Sequence, residues 1–156
     1  MIYPGTCREG LPPGRTGRTI RLHVPDTTSV MTDRFLGRFE QNLAKEVGDF
    51  VVRRADGFAA YQLAVVVDDE DEGITHVVRG ADLLSSTPRQ QLLQTYLGFP
   101  MPTYAHLPVV IDAEGHKLSK QNAAHPIPDT HPLLVLIHAW KFLGQVAPSQ
   151  VSNVDE

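Results

Sequence analysis

The chain has 156 residues, of which 42% are hydrophobic and 21% charged, and its formal net charge is -4 at pH 7. This length and apolar content suffice for one domain with a buried core, and they exclude a fibrous or wholly disordered chain. The negative charge argues against nucleic-acid binding over the whole surface, although Arg8, Arg15, Arg18 and Arg21 supply a basic segment that could contact phosphates or simply be solvated. There is no run of about 18 apolar residues and no secretion signal, so a cytoplasmic location is expected.

The first third of the chain predicts little regular structure. Residues 1–25 are rich in Gly, Pro and Arg, which is typical of a loop, and only the alternation at Thr19–Val24 indicates a strand. From Asp33 to Val47 large apolar residues recur every four positions, a helical spacing that Gly37 interrupts. By itself, this pattern favours a helix.

The middle of the chain holds two apolar runs that end in polar residues. Phe50–Arg53 predicts a short strand, followed by a turn at Gly57 and by Ala59–Val67, which could be strand or helix. The acidic residues from Asp68 to Gly73 are expected to form a solvated loop before a second buried strand at Thr75–Arg79. Such strands deliver polar side chains to the edge of a sheet, where α/β proteins usually keep their sites.

The last third predicts two helices and a strand. A helix is expected from Ser86 to Gly98, because a capping serine and a first-turn proline begin it and a glycine ends it. Leu107–Ile111 predicts a strand that leads into a tight turn, and Leu133–Leu143 predicts the final helix. The alternation of strands and helices favours part of a mainly parallel α/β sheet. The tail, residues 147–156, is expected to be flexible.

The segment Lys117-Leu118-Ser119-Lys120 has the composition of a polyphosphate site. Two ammonium groups with a hydroxyl between them can surround phosphates with positive charge, which stabilises phosphoryl and nucleotidyl transfer. Lysine and serine are also common on solvated surfaces. The tetrapeptide therefore carries weight only in its context.

Several ordered motifs together resemble one family. The tetrapeptide, the preceding Leu107–Val110, and the segments YPGTCREG, RRADGFAAYQLAVVVDD and ITHVVRGADLLSSTPRQ are similar to those of the glutamyl-Q tRNA(Asp) synthetases, relatives of class I glutamyl-tRNA synthetases. The resemblance implies an α/β fold, the second half of a class I Rossmann-type catalytic domain. It implies a remnant of a zinc-binding-like region and connection at 1–25 and a partial catalytic domain at 26–146. It also implies extended segments, rather than a helix, at Asp33–Val47.

The resemblance assigns roles to individual residues. Tyr61 and Arg79 match the family's glutamate-binding positions, and a guanidinium fork with a nearby phenol suits a carboxylate. Lys120 matches the ATP-binding lysine of the family's loop, and Lys117 and Ser119 are expected to bind ATP beside it. The resemblance also implies that Lys120, supported by Lys117, acts in catalysis. Without the resemblance, Tyr61 would be interpreted as a core aromatic residue and Arg79 as a surface ion-pair residue.

A few positions favour the glutamyl-Q branch of the family over the discriminating glutamyl-tRNA synthetases. Discriminating glutamyl-tRNA synthetases usually carry Thr-Pro-Thr-Tyr and an asparagine shortly after it, whereas this chain has Phe58-Ala59-Ala60-Tyr61 and Val65. Gln121-Asn122, after the lysine loop, also resembles the glutamyl-Q branch.

Tyr3 and Cys7 match the last two of four zinc ligands in the family. Cys7 is the only cysteine of the chain, so the first two ligands are missing, and structural zinc sites normally have four. Zinc is therefore not expected to bind.

The implied reaction has two steps. Glutamate attacks the α-phosphate of ATP, which is expected to carry magnesium, to give glutamyl-adenylate and release pyrophosphate. The glutamyl group then passes from the adenylate to the queuosine of tRNA(Asp), and AMP leaves. The family's ATP-gripping His-Ile-Gly-His motif is absent, so the chain is interpreted as truncated at its N-terminus and active only in a complete form, expected to be monomeric. The alternatives are a noncatalytic glutamate- or tRNA-binding remnant and a fragment of a glutamyl-tRNA synthetase.

Overall fold

A computed structural model describes residues 2–119, 126–127 and 131–146. The chain divides into two compact units, Met1–His106 and Leu107–Glu156, and each is described by itself. The described elements, in chain order, are β1 (Ile20–Leu22), β2 (Thr28–Asp33), β3 (Gly37–Asn42), α1 (Leu43–Glu46), β4 (Phe50–Arg53), α2 (Tyr61–Asp71), β5 (His76–Gly80), a 3₁₀ helix (Ala81–Ser86), α3 (Thr87–Leu97), β6 (Thr103–Leu107) and α4 (Pro132–Phe142).

The strands pair in three two-stranded sheets, β1 with β4, β2 with β3 and β5 with β6. The first two pairs are antiparallel. The expectation of a mainly parallel sheet is therefore wrong for the described residues. Only Arg34–Leu36 separate β2 from β3, and a connection this short allows an antiparallel neighbour but no parallel crossover.

The four-residue apolar spacing after Asp33 does not mark a helix. Asp33 Oδ1 accepts the backbone N–H groups of Phe35 and Leu36, both at 2.9 Å, and Gly37 follows with a φ of 75°. This side-chain-to-backbone bonding closes a tight turn, which only glycine can leave at such a φ without strain. Phe35 is 68% exposed at the tip of the hairpin, so the apolar residues there do not form one face of a helix. The extended structure implied by the resemblance is confirmed as far as β3, whereas Leu43–Glu46 forms the short helix α1.

The segment after β4 is a helix. Val66 is 1% exposed and packs in the core, and α2 continues to Asp71, so the acidic residues there belong mostly to the helix and not to a loop. The strands at β4 and β5 and the helix α3 are confirmed, the last with Gly98 at a φ of 71°. The strand predicted at Leu107–Ile111 lies earlier, at β6, where the chain is more deeply buried.

The core of the first unit consists of Val24, Leu43, Phe50, Val66 and Leu93. Each fully buried side chain of this size contributes about 1.5–3 kcal/mol through apolar area removed from water. Helices α2 and α3 pack on each other, and β4 contacts α2. This packing fixes α2 against α3 and β4.

The second unit contains a small hairpin and α4. Ile111 and Lys117 form an antiparallel bridge around the predicted tight turn, and α4 ends before Gly144, as the sequence predicts. The predicted tail at 147–156 lies outside the described residues. Within the described part of the chain, no helix is long and apolar enough to cross a membrane.

Candidate functional site

Arg79 lies near the end of β5, and the fold holds its guanidinium group in one orientation. Nε donates to Nε2 of His106 at 3.1 Å, and Nη2 donates to Oγ1 of Thr87 at 2.8 Å. The guanidinium carbon lies 5.4 Å from the ring centroid of Tyr104. Nη1 has no hydrogen-bond partner among the residues that the structure describes.

The positive charge of Arg79 is not matched by an ion pair within the described residues. Asp69, on α2, lies close enough to interact with it electrostatically. Burial nevertheless raises the pKa of Asp69, although the charge of Arg79 acts in the opposite direction. The guanidinium therefore remains suited to an anionic ligand.

Behind Arg79 lies a buried pair, His106 and Asp33. His106 is 0% exposed and Asp33 2% exposed, and His106 Nδ1 lies 2.6 Å from Asp33 Oδ2. The other carboxylate oxygen accepts the backbone N–H of His106 at 3.2 Å, in addition to the two N–H groups of the hairpin turn. Burial would raise the pKa of Asp33, but these hydrogen bonds outweigh it and hold that pKa at about 2. Asp33 is thus a carboxylate near neutral pH.

The donors around His106 determine its tautomer. Nε2 receives the Nε–H of Arg79, and Oγ1 of Thr87 lies 3.3 Å from the same nitrogen. Because a guanidinium has donors and no acceptor, Nε2 must present its lone pair. The proton of the neutral imidazole is then on Nδ1 and faces Asp33. The hydrogen bonds run in one direction, from Arg79 through His106 to Asp33.

Tyr61 is the first residue of α2, and it is 52% exposed rather than part of the core. The next residue, Gln62, is buried and donates to Oγ of Ser86 at 3.1 Å. Ser86 directly precedes Thr87, the hydrogen-bond partner of Arg79. The two predicted glutamate-binding residues are therefore both anchored to the same short segment at the start of α3.

Lys117 and Ser119 lie in the second unit, directly after the tight turn. The backbone N–H of Asp112 donates to the carbonyl of His116 at 2.9 Å, and Oδ1 of Asp112 accepts the N–H of His116 at 2.7 Å. The side chain of Lys117 is exposed and Ser119 is half-buried, whereas Lys120 lies outside the described residues. The ATP-binding role of this segment stays a prediction.

Tyr3 and Cys7 are brought together, but they do not fit a zinc site. The backbone N–H of Cys7 donates to the hydroxyl oxygen of Tyr3 at 2.8 Å. Hydrogen bonding with the side chain of Cys7 nevertheless raises the pKa of Tyr3, which disfavours a phenolate ligand. The described residues contain no group of three or more His, Cys, Asp or Glu placed to hold a metal ion. A structural zinc site normally needs four ligands.

The four arginines near the start of the chain line one groove of about 640 Å³. We call this surface, formed by Arg8, Arg15, Arg18 and Arg21 around Asp49, the arginine groove. Nε and Nη2 of Arg8 donate to the two carboxylate oxygens of Asp49, and Arg21 donates to its carbonyl at 2.8 Å. Arg15 and Arg18 form no ion pair with any described residue.

Nothing in the sequence alone marks His106, Thr87 or Asp33 as functional residues. The chain has seven histidines, and nothing in the spacing distinguishes His106 from the others. The sequence offers one local indication that His106 is buried. It lies two residues after Tyr104 in β6, and alternate residues of a strand lie on the same side. The two rings lie 6.2 Å apart and nearly parallel.

The chain matches one class of protein, the class I aminoacyl-tRNA synthetases. Residues 13–129 match the family model described as tRNA synthetases class I (E and Q), catalytic domain. The chain therefore belongs to this family, and the fold class expected from the sequence is confirmed.

Within this family, the chain is similar to curated proteins that share one name. A glutamyl-Q tRNA(Asp) synthetase of Thiobacillus denitrificans is 53% identical over 153 residues, which cover 98% of this chain and 51% of that protein. A protein of the same name from Janthinobacterium is 56% identical, over 99% of this chain and 54% of its own length. The chain thus spans about half the length of the curated relatives it matches, and the resemblance seen in the sequence is confirmed.

A solved structure supports the fold. The crystal structure of a glutamate tRNA ligase from Elizabethkingia meningosepticum, in complex with its amino acid, matches with a TM-score of 0.60 and 34% identity. The match covers 67% of this chain and 21% of that one.

Proposed function

We propose that this chain is part of an enzyme that glutamylates tRNA, and that it supplies the binding site for the side chain or backbone carboxylate of glutamate. The observation that carries the proposal is Arg79, a half-buried guanidinium that is oriented by hydrogen bonds but has no described ion-pair partner. Burying a cation in this way is unfavourable unless an anion completes the site. A carboxylate can accept a charge-assisted hydrogen bond from it.

The proposed activity is that of a glutamyl-Q tRNA(Asp) synthetase. The enzyme would activate glutamate with ATP and transfer it to the queuosine of tRNA(Asp). The names of the curated relatives support this choice. Tyr61, exposed at the start of α2, would add a hydrogen bond to glutamate. A cytoplasmic location belongs to the same proposal.

Lys117, Ser119 and Lys120 would hold the phosphates of ATP. Among the described residues, Lys117 lies on the second arm of a small hairpin, and its side chain is exposed. Magnesium would enter bound to ATP, since it usually keeps several waters and binds through phosphate oxygens. The lysines would stabilise the negative charge that develops on the departing pyrophosphate.

The arginine groove would contact the RNA backbone. Arg15 and Arg18 form no described ion pairs, while Arg8 and Arg21 are fixed on Asp49. Four guanidinium groups against one carboxylate make this surface positive in a chain of net charge -4. Phosphate contacts of this kind position RNA without reading its sequence.

The proposal is tested by ATP–pyrophosphate exchange with glutamate, on this chain and on a longer form that supplies the rest of the relatives' length. Arg79→Ala should raise the KM for glutamate by roughly 10- to 150-fold, the effect of losing a hydrogen bond between charged groups. Arg54→Ala, which removes an exposed arginine, is the matched control and should leave the KM unchanged. An unchanged KM in Arg79→Ala would contradict the assignment.

A second outcome separates the alternatives. If calorimetry shows that glutamate binds but neither form exchanges pyrophosphate, the noncatalytic binding module is favoured. If the longer form acylates the unmodified acceptor end of tRNA(Glu), the glutamyl-tRNA synthetase alternative is correct.

A further inference from the structure

We propose that His106 is the positioning residue for Arg79, and that it orients the guanidinium so that Nη1 is the nitrogen presented to the substrate carboxylate. The inference rests on the proposed function, because it takes the amino-acid substrate as the ligand of Arg79. It adds a residue, a tautomer and a direction of hydrogen bonding that the sequence does not reveal.

Two of the three guanidinium nitrogen atoms of Arg79 are already hydrogen-bonded within the fold. Nε is held by His106 and Nη2 by Thr87, with a longer contact of 3.5 Å from Nη2 to the carbonyl of Leu83. Only Nη1 has no hydrogen-bond partner in the described part of the chain. A free arginine side chain carries about 2 kcal/mol of rotamer entropy, and here folding has already removed most of it. The ligand therefore meets a donor that needs little further ordering.

A histidine suits the position beside Nε of Arg79 better than a carboxylate would. A carboxylate at this position would also accept from Nε, but it would pair with the guanidinium and compete with an anionic ligand. A neutral imidazole accepts the hydrogen bond without neutralising the charge. The negative charge of Asp33 lies on the far side of the ring, beyond Nδ1. His106 thus orients Arg79 and leaves its charge for the substrate.

Asp33 anchors the imidazole ring of His106 in one tautomer. If Nε2 carried the proton, two N–H groups would face each other and the contact with Arg79 would be repulsive. Asp33 prevents this by accepting from Nδ1 at 2.6 Å. Its own position is set by backbone N–H groups of the β2–β3 turn and of His106 itself. The orientation of Arg79 is thereby tied to the hairpin.

The structural arm of the test uses the wild-type chain and does not depend on activity. Nitrogen-15 NMR of the imidazole at pH 7 should show His106 as the neutral Nδ1–H tautomer. The Nε–H of Arg79 should give a resolved signal that exchanges slowly with solvent. An Nε2–H tautomer or a doubly protonated ring would overturn the proposal, whether or not the proposed function is correct.

The functional arm compares two isosteric variants in the form that exchanges pyrophosphate. His106→Asn can keep a donor near Nδ1 for Asp33, but its side-chain carbonyl is too short to reach the place of Nε2 and accept from Arg79. The longer side-chain carbonyl of His106→Gln can reach that place. His106→Asn should raise the KM for glutamate by roughly 10- to 100-fold with the KM for ATP within about twofold, since only the carboxylate contact is loosened. His106→Gln should recover most of the loss.

Two results would overturn the positioning role. One is an unchanged KM for glutamate in His106→Asn. The other is an equal loss of affinity for glutamate and ATP in both variants, which is the result of a merely structural role. Loss of the proposed function itself would appear differently, as a failure of the Arg79→Ala variant to affect glutamate while the NMR tautomer is as expected.

Discussion

Replacement of Asp49 by asparagine should reveal how the start of the chain is attached to the core. Asp49 Oδ2 accepts from Nε of Arg8 at 2.7 Å, and Oδ1 accepts from Nη2 of Arg8 at 2.8 Å and from the backbone N–H of Val24 at 2.9 Å. The Asp49 side chain is only 3% exposed. Val24 belongs to the core cluster, so one carboxylate links residues 1–25 to the hydrophobic interior.

The size of the effect follows from the pKa of Asp49. The hydrogen bond from Arg8 lowers this pKa from 3.8 to about 2, against the opposing effect of burial. The pKa is lower in the folded chain, so the stabilisation is fully present above the unfolded value of 3.8 and is lost as pH falls through about 2. At about 1.4 kcal/mol per pH unit, the stabilisation at pH 7 is roughly 2.5 kcal/mol.

The assay is urea unfolding followed by circular dichroism at several pH values. Asp49→Asn should lower the free energy of unfolding by about 2 kcal/mol at pH 7. The difference between the two proteins should shrink as pH falls from 4 to 2, because protonated aspartic acid resembles asparagine. Asp56→Asn, which removes an exposed partner of Arg54, serves as the control and should have little effect. A constant difference between the two proteins across this pH range would refute the reasoning.

Two further predictions concern backbone strain and RNA contact. Gly37 and Gly48 have φ values of 75° and 74°, but a Cβ on Gly48 would meet a backbone oxygen at 2.9 Å whereas one on Gly37 would meet nothing. Gly37→Ala should therefore cost about 1 kcal/mol and Gly48→Ala about 1–3 kcal/mol more, measured by the same unfolding assay. Replacing Arg15 and Arg18 together by glutamine should weaken tRNA binding and lower the slope of log K against log salt by about 1.5, since each lost phosphate contact removes about 0.7–0.9. Arg54→Gln, outside the arginine groove, should leave the slope unchanged, and an equal slope in all three proteins would contradict RNA binding at the groove.

Local chemistry explains which elements could be predicted. The first-turn proline and the terminal glycine of α3 act within a few residues of the helix, so their sequence signal survives in the fold. The predicted capping bond of Ser86 does not form, because its hydroxyl accepts instead from Gln62 and Arg89. The helix predicted from the apolar spacing after Asp33 is wrong because the Asp33 side chain accepts hydrogen bonds from nearby backbone N–H groups and closes a turn. Such side-chain-to-backbone bonds compete with a helix, and the periodicity of apolar residues does not report them. The type of the segment at Ala59–Val67 stayed open because a short apolar run suits a strand or a helix equally.

Some residues of the candidate site could likewise be predicted from the sequence, and others could not. Arg79, Tyr61 and the lysine loop were identifiable because their motifs are continuous in the sequence and resemble a known family. The residues that hold Arg79 in its orientation could not be identified from the sequence. His106 lies 27 residues from Arg79 and 73 from Asp33, and no spacing rule connects positions that far apart.

The sequence by itself determined the family, the helix α3, the strands β4 and β5 and the residue types that could bind a carboxylate and phosphates. Only the tertiary structure decided that one of seven histidines is buried between Asp33 and Arg79, and which of its nitrogens carries the proton. The physical reason is that burial and hydrogen bonding between β2, β5 and β6 arise when the hairpin and the sheet ends meet, whereas a motif reports only what its own residues can do.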